Sequence, residues 1–137
     1  MSDEQSRDLA NERVNADLQL KVVRGTPRYE FRATGEIEYV PVRRERDGEQ
    51  QVIGFLWFSD AESAAGYVAH RAFSPESDNL GAVWNERFSH ARAEGASPSE
   101  AVLGFGALPP GPEGHAVVAE RSRAASVAEL RAAAGHA

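Results

Sequence analysis

From Tyr29 to Pro41 the odd positions are apolar, Gly35 excepted, and the even positions through Glu38 are charged or polar. Successive side chains on a strand point to opposite faces. The spacing therefore predicts one long strand over 29–42, with its odd face buried and its even face wet. A straight strand of that length would span about 45 Å, well beyond the usual strand, so a bend is expected at Gly35. Residues 17–23 alternate in the same way and are expected to form a hairpin with this strand through Arg24-Gly25-Thr26-Pro27. The register that matches faces sets Val22 against Tyr29, Leu20 against Phe31 and Leu18 against Ala33. Asp47-Gly48 is a strong two-residue hairpin turn. Pairing outward from it sets Val42 opposite Ile53, Val40 opposite Phe55, Glu38 opposite Trp57 and Ile37 opposite Phe58. Leu56 and Phe58 then join the odd face in one core. Pro41 lacks an N–H, so its outer side is expected to have no ladder partner.

The second half of the chain changes period. Ser59 to Glu62, Ser97 to Glu100 and Ser126 to Glu129 each fit the Ser-x-x-Glu capping box at a helix start, with Pro98 at the favoured first position. Helices are expected near 60–73, 79–94, 98–104 and 123–134. The first would carry Ala61, Ala64, Ala65, Val68 and Ala72 on one stripe, and the second Leu80, Val83, Trp84, Phe88 and Ala91. His115–Ala119 is expected to add a fourth strand beside Val52–Phe58. The fold class is thus α+β: an antiparallel meander of three or four strands with two to four helices, packed mainly on one face. Residues 1–16 lack periodicity and read as a disordered N-terminal segment, 17–108 as the core domain, 109–114 as a Pro/Gly linker, and 115–137 as a strand and helix extension.

Composition narrows the chemistry. At 137 residues this is one domain with enough chain for a core, and it has no cysteine, which removes disulfides, thiolate metal sites and cysteine nucleophiles. The net charge of -6 disfavours nucleic acid as a partner. No apolar run approaches a membrane span, no signal core opens the chain, and a cytoplasmic location is expected. Arginine supplies fourteen of the fifteen basic residues, a bias of GC-rich genomes. Neither a phosphate-binding glycine loop nor a Gly-x-Ser-x-Gly elbow is present. No cofactor and no metal are expected. The runs Ile53-Gly54-Phe55-Leu56-Trp57 and Ala64-Ala65-Gly66-Tyr67, with Trp84, resemble segments of small bacterial proteins, a likeness that implies no function.

Two candidate sites remain. In the expected register Val40, Val42, Ile53, Phe55 and Trp57 project from the even face, with Glu38 at the patch edge. Such a patch is covered by the chain's own helix 123–134, through Val127 and Leu130, or it receives a protein partner, a second copy or an apolar ligand. The alternative is a pocket between sheet and helices in which Tyr67, His70, Arg71 and His90 supply the polar groups. The leading expectation is a non-catalytic domain that binds a protein partner or itself. The alternative is a small-molecule-binding protein or enzyme.

Overall fold

The computed structural model describes residues 29–136. Residues 1–16 and the strand expected over 17–23 lie outside the described residues. The chain is an α+β fold built on an antiparallel sheet. Strand β1 (Ile37–Arg46) pairs with β2 (Glu49–Ser59), and β2 pairs with β3 (Ala64–Ala69). A helical turn α1 (Glu76–Asn79), helix α2 (Gly81–Ala93) and helix α3 (Pro98–Phe105) follow. Two short strands, β4 (His115–Ala116) and β5 (Ser122–Ala124), then add one after the other along the second edge of β1, before helix α4 (Val127–Ala133).

The hairpin turn forms as expected. Asp47 and Gly48 have φ of 54° and 80°, the paired positive angles of a type I′ turn. Arg46 pairs with Glu49, and Arg43 with Val52. The register then shifts between Val42 and Arg43, where Ile53 is inserted as a bulge, so Val42 faces Gly54, Val40 faces Leu56 and Glu38 faces Phe58. The expected pairing was one residue off beyond this point. A one-residue slip exchanges the faces of everything downstream. The main core therefore lies on the even face: Val40, Val42, Leu56 and Phe58 pack with Ile53 against Trp84, Phe88, Val102 and Phe105 of α2 and α3. The odd-face residue Ile37 joins Trp57, Ala64 and Val68 in a smaller core closed by Leu130 and Ala134 at α4.

Two further expectations are corrected. The extended run over 29–42 is broken: only Glu30 bridges, to Ala64, and regular strand begins at Ile37. Between them the chain crosses the end of the sheet, and the Glu62 carboxylate accepts N–H bonds from Thr34 (2.9 Å) and Gly35 (3.0 Å). These bonds hold the Glu62 carboxyl below the ordinary carboxylate range. The helix expected over 60–73 is instead a turn followed by β3. Ser63 adopts φ of 51°, which an α-helix starting at Ser59 cannot contain. Buried on both faces, β3 reads as an unbroken run of small and apolar residues rather than an alternating one. Its glycine serves a close approach. A Cβ on Gly66 would lie 2.8 Å from Trp57 Nε1, and one on Gly54 would lie 2.5 Å from the Tyr67 ring. Each aromatic ring thus occupies the space that a side chain on the neighbouring strand's glycine would need.

The other two Ser-x-x-Glu sequences cap helices. Ser97 and Glu100 form the full reciprocal box on α3, and the Ser126 hydroxyl accepts the Glu129 N–H on α4. β4 lies beside β1 rather than beside β2, because β3 occupies the far side of β2. Pro41 accounts for the split of the outer edge into two strands. Its carbonyl accepts from Val117 on that side at 3.0 Å, but it has no N–H to offer there. β4 therefore pairs at Val42–Arg43 and β5 at Ile37–Tyr39, with Pro41 between them. The Pro/Gly-rich residues 109–114 close a tight turn, in which the Gly114 N–H reaches Gly111 C=O at 2.9 Å. Glu113 of that turn is buried and ion-paired with Arg87 of α2. Residues 115–134 pack on the core through Ala116, Ala124, Leu130 and Ala134.

Candidate functional site

The sheet has two edges, and one of them opens into a groove. Along β3 the even positions face β2, and His70 N–H continues that ladder to Ile53 C=O at 2.9 Å. The odd positions point outward. At one end Glu30 lies against this outer side: its N–H donates to Ser63 C=O (2.9 Å), and its C=O accepts from Ala65 N–H (3.1 Å). At the other end His136 Nε2 sits 2.7 Å from Ala69 C=O, and Arg71 N–H donates to Ala134 C=O at 2.8 Å. Between these two clamps, no described residue bonds to Ala65 C=O, Tyr67 N–H, Tyr67 C=O or Ala69 N–H. Buried backbone groups are almost always paired, so this window is where a further strand would add.

The groove over the window has a volume of about 460 Å³. Gly66, Tyr67 and Val68 form its floor with Trp57 beneath. Asn85 of α2 stands on one side and Val127 and Arg131 of α4 on the other, while Phe31, Arg32 and Ala33 close an end. Phe31 is 68 % exposed, against 5 % for Tyr29 two residues before it. The lining is mixed: Val68, Val127 and Phe31 are apolar, Asn85 is polar, and Arg32 and Arg131 carry charge.

The groove draws Trp57 from the first expected site and Tyr67 from the second, and separates both from their expected companions. Val40, Val42 and Ile53 are fully buried in the main core. Trp57 is buried beneath α4, whose Val127 and Leu130 cover the odd face. Phe55 is half-buried, edge-on to Tyr39 with ring centroids 5.6 Å apart. Glu38 is ion-paired with Arg121, whose guanidinium lies 5.5 Å from the Phe58 ring. These six residues do not form one exposed patch.

The alternative pocket residues do not converge either. The Tyr67 hydroxyl donates to Ser77 C=O at 3.0 Å beneath the sheet, and burial holds its phenol far above the ordinary value, so it stays protonated. His70 caps the 3₁₀ turn Arg71–Phe73, accepting from Ala72 N–H at 3.2 Å. Arg71 is exposed. His90 lines a separate apolar groove of about 350 Å³ between α2 and α3, with Ala91, Ala101 and Phe105. Among the described residues no three His, Asp or Glu side chains gather as a metal site, and no helix is long and apolar enough to cross a membrane.

Phe31, Gly66, Asn85 and Arg131 were missed as site residues. Ala64–Ala69 did carry a signal: a six-residue apolar run between two turn sequences is the mark of a buried strand. No family model, curated protein or solved structure matches this chain.

Proposed function

We propose that this domain is a protein-binding module that accepts an extended polypeptide segment along the outer edge of β3. The observation that carries the reading is the window from Ala65 to Ala69, where four backbone groups have no partner among the described residues, set in a groove between two helices. Strand addition of this kind takes its affinity from main-chain hydrogen bonds and its selectivity from the flanking walls. An open edge is an aggregation hazard that folds ordinarily cover or blunt. Here it is recessed between α2 and α4, and no described residue pairs with its middle. The site asks for backbone pairing and alternating side chains, not for acid–base chemistry, and its one phenol is engaged beneath the sheet.

Selection of displayed random peptides on the full chain, with the binders mapped by amide chemical shifts, tests this reading. The expected winners alternate apolar and polar residues and move the amides of Ala65–Ala69. Winners that map to the α2–α3 groove, or a selection that enriches nothing, overturn it.

A further inference from the structure

We infer that a second copy of this chain docks on the flank of α2 that faces away from β3, giving a two-fold dimer in which α2 packs antiparallel to α2. Trp84 and Phe88 fix which way α2 faces, because both are buried in the main core. The helical period then puts Asn85 on one flank, where it lines the β3 groove. Val83, Arg87, His90 and Glu94 fall on the opposite flank, spaced by four, three and four positions. That is the spacing of a seam between paired helices. Arg87, His90 and Glu94 border the groove of about 350 Å³ between α2 and α3, whose apolar surface comes from Ala91, Ala101 and Phe105. Val83 continues the same stripe and is 36 % exposed, one of two exposed large apolar side chains among the described residues.

Charge complementarity selects a second copy and its direction. A two-fold axis crossing the seam between His90 and Ala91 sets Arg87 of each copy against Glu94 of the other, so one contact makes two pairs of opposite charge. Val83 then meets the second copy where α3 begins, beside the small residues Ala96 and Ala101. A parallel arrangement would set Arg87 against Arg87 and Glu94 against Glu94. Both charged groups suit the antiparallel pairing. Arg87 is already held in place, ion-paired with Glu113 and stacked 4.8 Å from the Trp84 ring, while 27 % of its side chain stays exposed. Glu94 stands at the C-terminal end of α2, where the helix dipole disfavours a carboxylate. A guanidinium from the second copy offsets that cost. The β3 grooves lie on the other flank of each α2, so the dimer leaves both accessible. A partner carrying two extended segments then gains from bivalent attachment. That consequence rests on the strand-accepting reading above; the dimer itself does not.

The absence of cysteine makes the test direct. Light scattering of the full chain over a dilution series gives its mass, and mild oxidation of His90→Cys and Asn85→Cys reports which flank meets the second copy. The expected result is a dimer that dissociates on dilution, a disulfide-linked dimer from His90→Cys and none from Asn85→Cys. Glu94→Arg sets arginine against arginine twice and is expected to weaken the dimer roughly 10-fold or more. The helix itself accepts that change, since a cation is favoured at its C-terminal end. A monomer at every concentration, cross-linking through position 85, or a dimer indifferent to Glu94→Arg overturns the inference. Peptide binding at Ala65–Ala69, followed by amide shifts in wild type and in Glu94→Arg, separates the two proposals. A dimer without peptide binding removes the strand-accepting reading and keeps the dimer, whereas peptide binding by a strict monomer does the reverse.

Discussion

The two edges of the sheet are built in opposite ways. The outer edge of β1 is sealed by β4 and β5, which arrive late in the chain and leave Val40 and Pro41 between them, Pro41 having no N–H to satisfy. Ion pairs of Arg43 with Glu120 and of Glu38 with Arg121 tie the same edge to the segment joining those strands. The outer edge of β3 is held at its two ends, by Glu30 and His136, and left unpaired among described residues at its middle. The chain from His115 to Ala124 closes one edge, whereas the other is recessed between α2 and α4 and keeps unpaired groups among the described residues. The proposed strand addition depends on that contrast, because hydrogen-bonding capacity left over at an edge is what a further strand uses.

The strongest way to break the contrast is at α4, which serves both edges. Leu130 is 1 % exposed and packs with Ala124 of β5 and Ile37 of β1. Leu130→Ala is expected to cost about 2–5 kcal/mol in chemical denaturation. It should also speed amide exchange at Ser122–Ala124 and weaken any peptide bound at β3, since Val127 and Arg131 of the same helix wall the groove. Unchanged exchange at β5 would mean that the closed edge does not depend on α4.

Next in size is Gly66→Val. The new Cβ must displace Trp57, whose Nε1 lies 2.8 Å from its position, and overpacking of this kind costs about 1–3 kcal/mol. The Trp57 emission should shift and peptide binding should fall. Smaller still is Tyr67→Phe, which removes the bond to Ser77 C=O and is expected to cost about 1 kcal/mol. The backbone of the window is unaltered by that change, so peptide affinity at the β3 edge should stay at the wild-type value. A large loss of affinity would move the site from the edge to the phenol.

The least effect is expected from Glu62→Gln, and it depends on pH. Thr34 and Gly35 hold the Glu62 carboxyl below its ordinary value, so the native state prefers the carboxylate. Its contribution is present above the unfolded-state value of about 4.3 and is lost as pH falls through the lower folded-state value. Thermal midpoints of wild type and variant should therefore differ at pH 7 and converge toward pH 3. A difference that persists into acid would assign the effect to shape rather than charge.

Much of the architecture was legible in the chain. Asp47-Gly48 set a hairpin because few turns tolerate two positive φ angles, and two of three Ser-x-x-Glu sequences capped helices by purely local bonds. The third, at Ser59, failed because Ala64–Ala69 gains more from pairing with β2 than from alanine's helical preference, a tertiary gain that overrides propensity. Of the candidate sites, only Trp57 and Tyr67 reached the groove. The bulge at Ile53 shifts the phase of β2, since Ile53 shares the main core with Leu56 and Phe58, but the unbroken apolar run Ile53–Phe58 hides that shift from alternation.

By itself the sequence determined what neighbouring residues decide among themselves: the α+β class, the hairpin turn, the capped helices and the absence of cysteine chemistry. The tertiary structure decided which face of β1 became the main core, that 64–69 is strand, and that among the described residues the β3 edge is unpaired at its middle between α2 and α4. The reason is physical. Local bonds depend on residues a few positions apart, whereas register and the covering of an edge are set by competition among segments distant in the chain, whose outcome depends on packing across all of them.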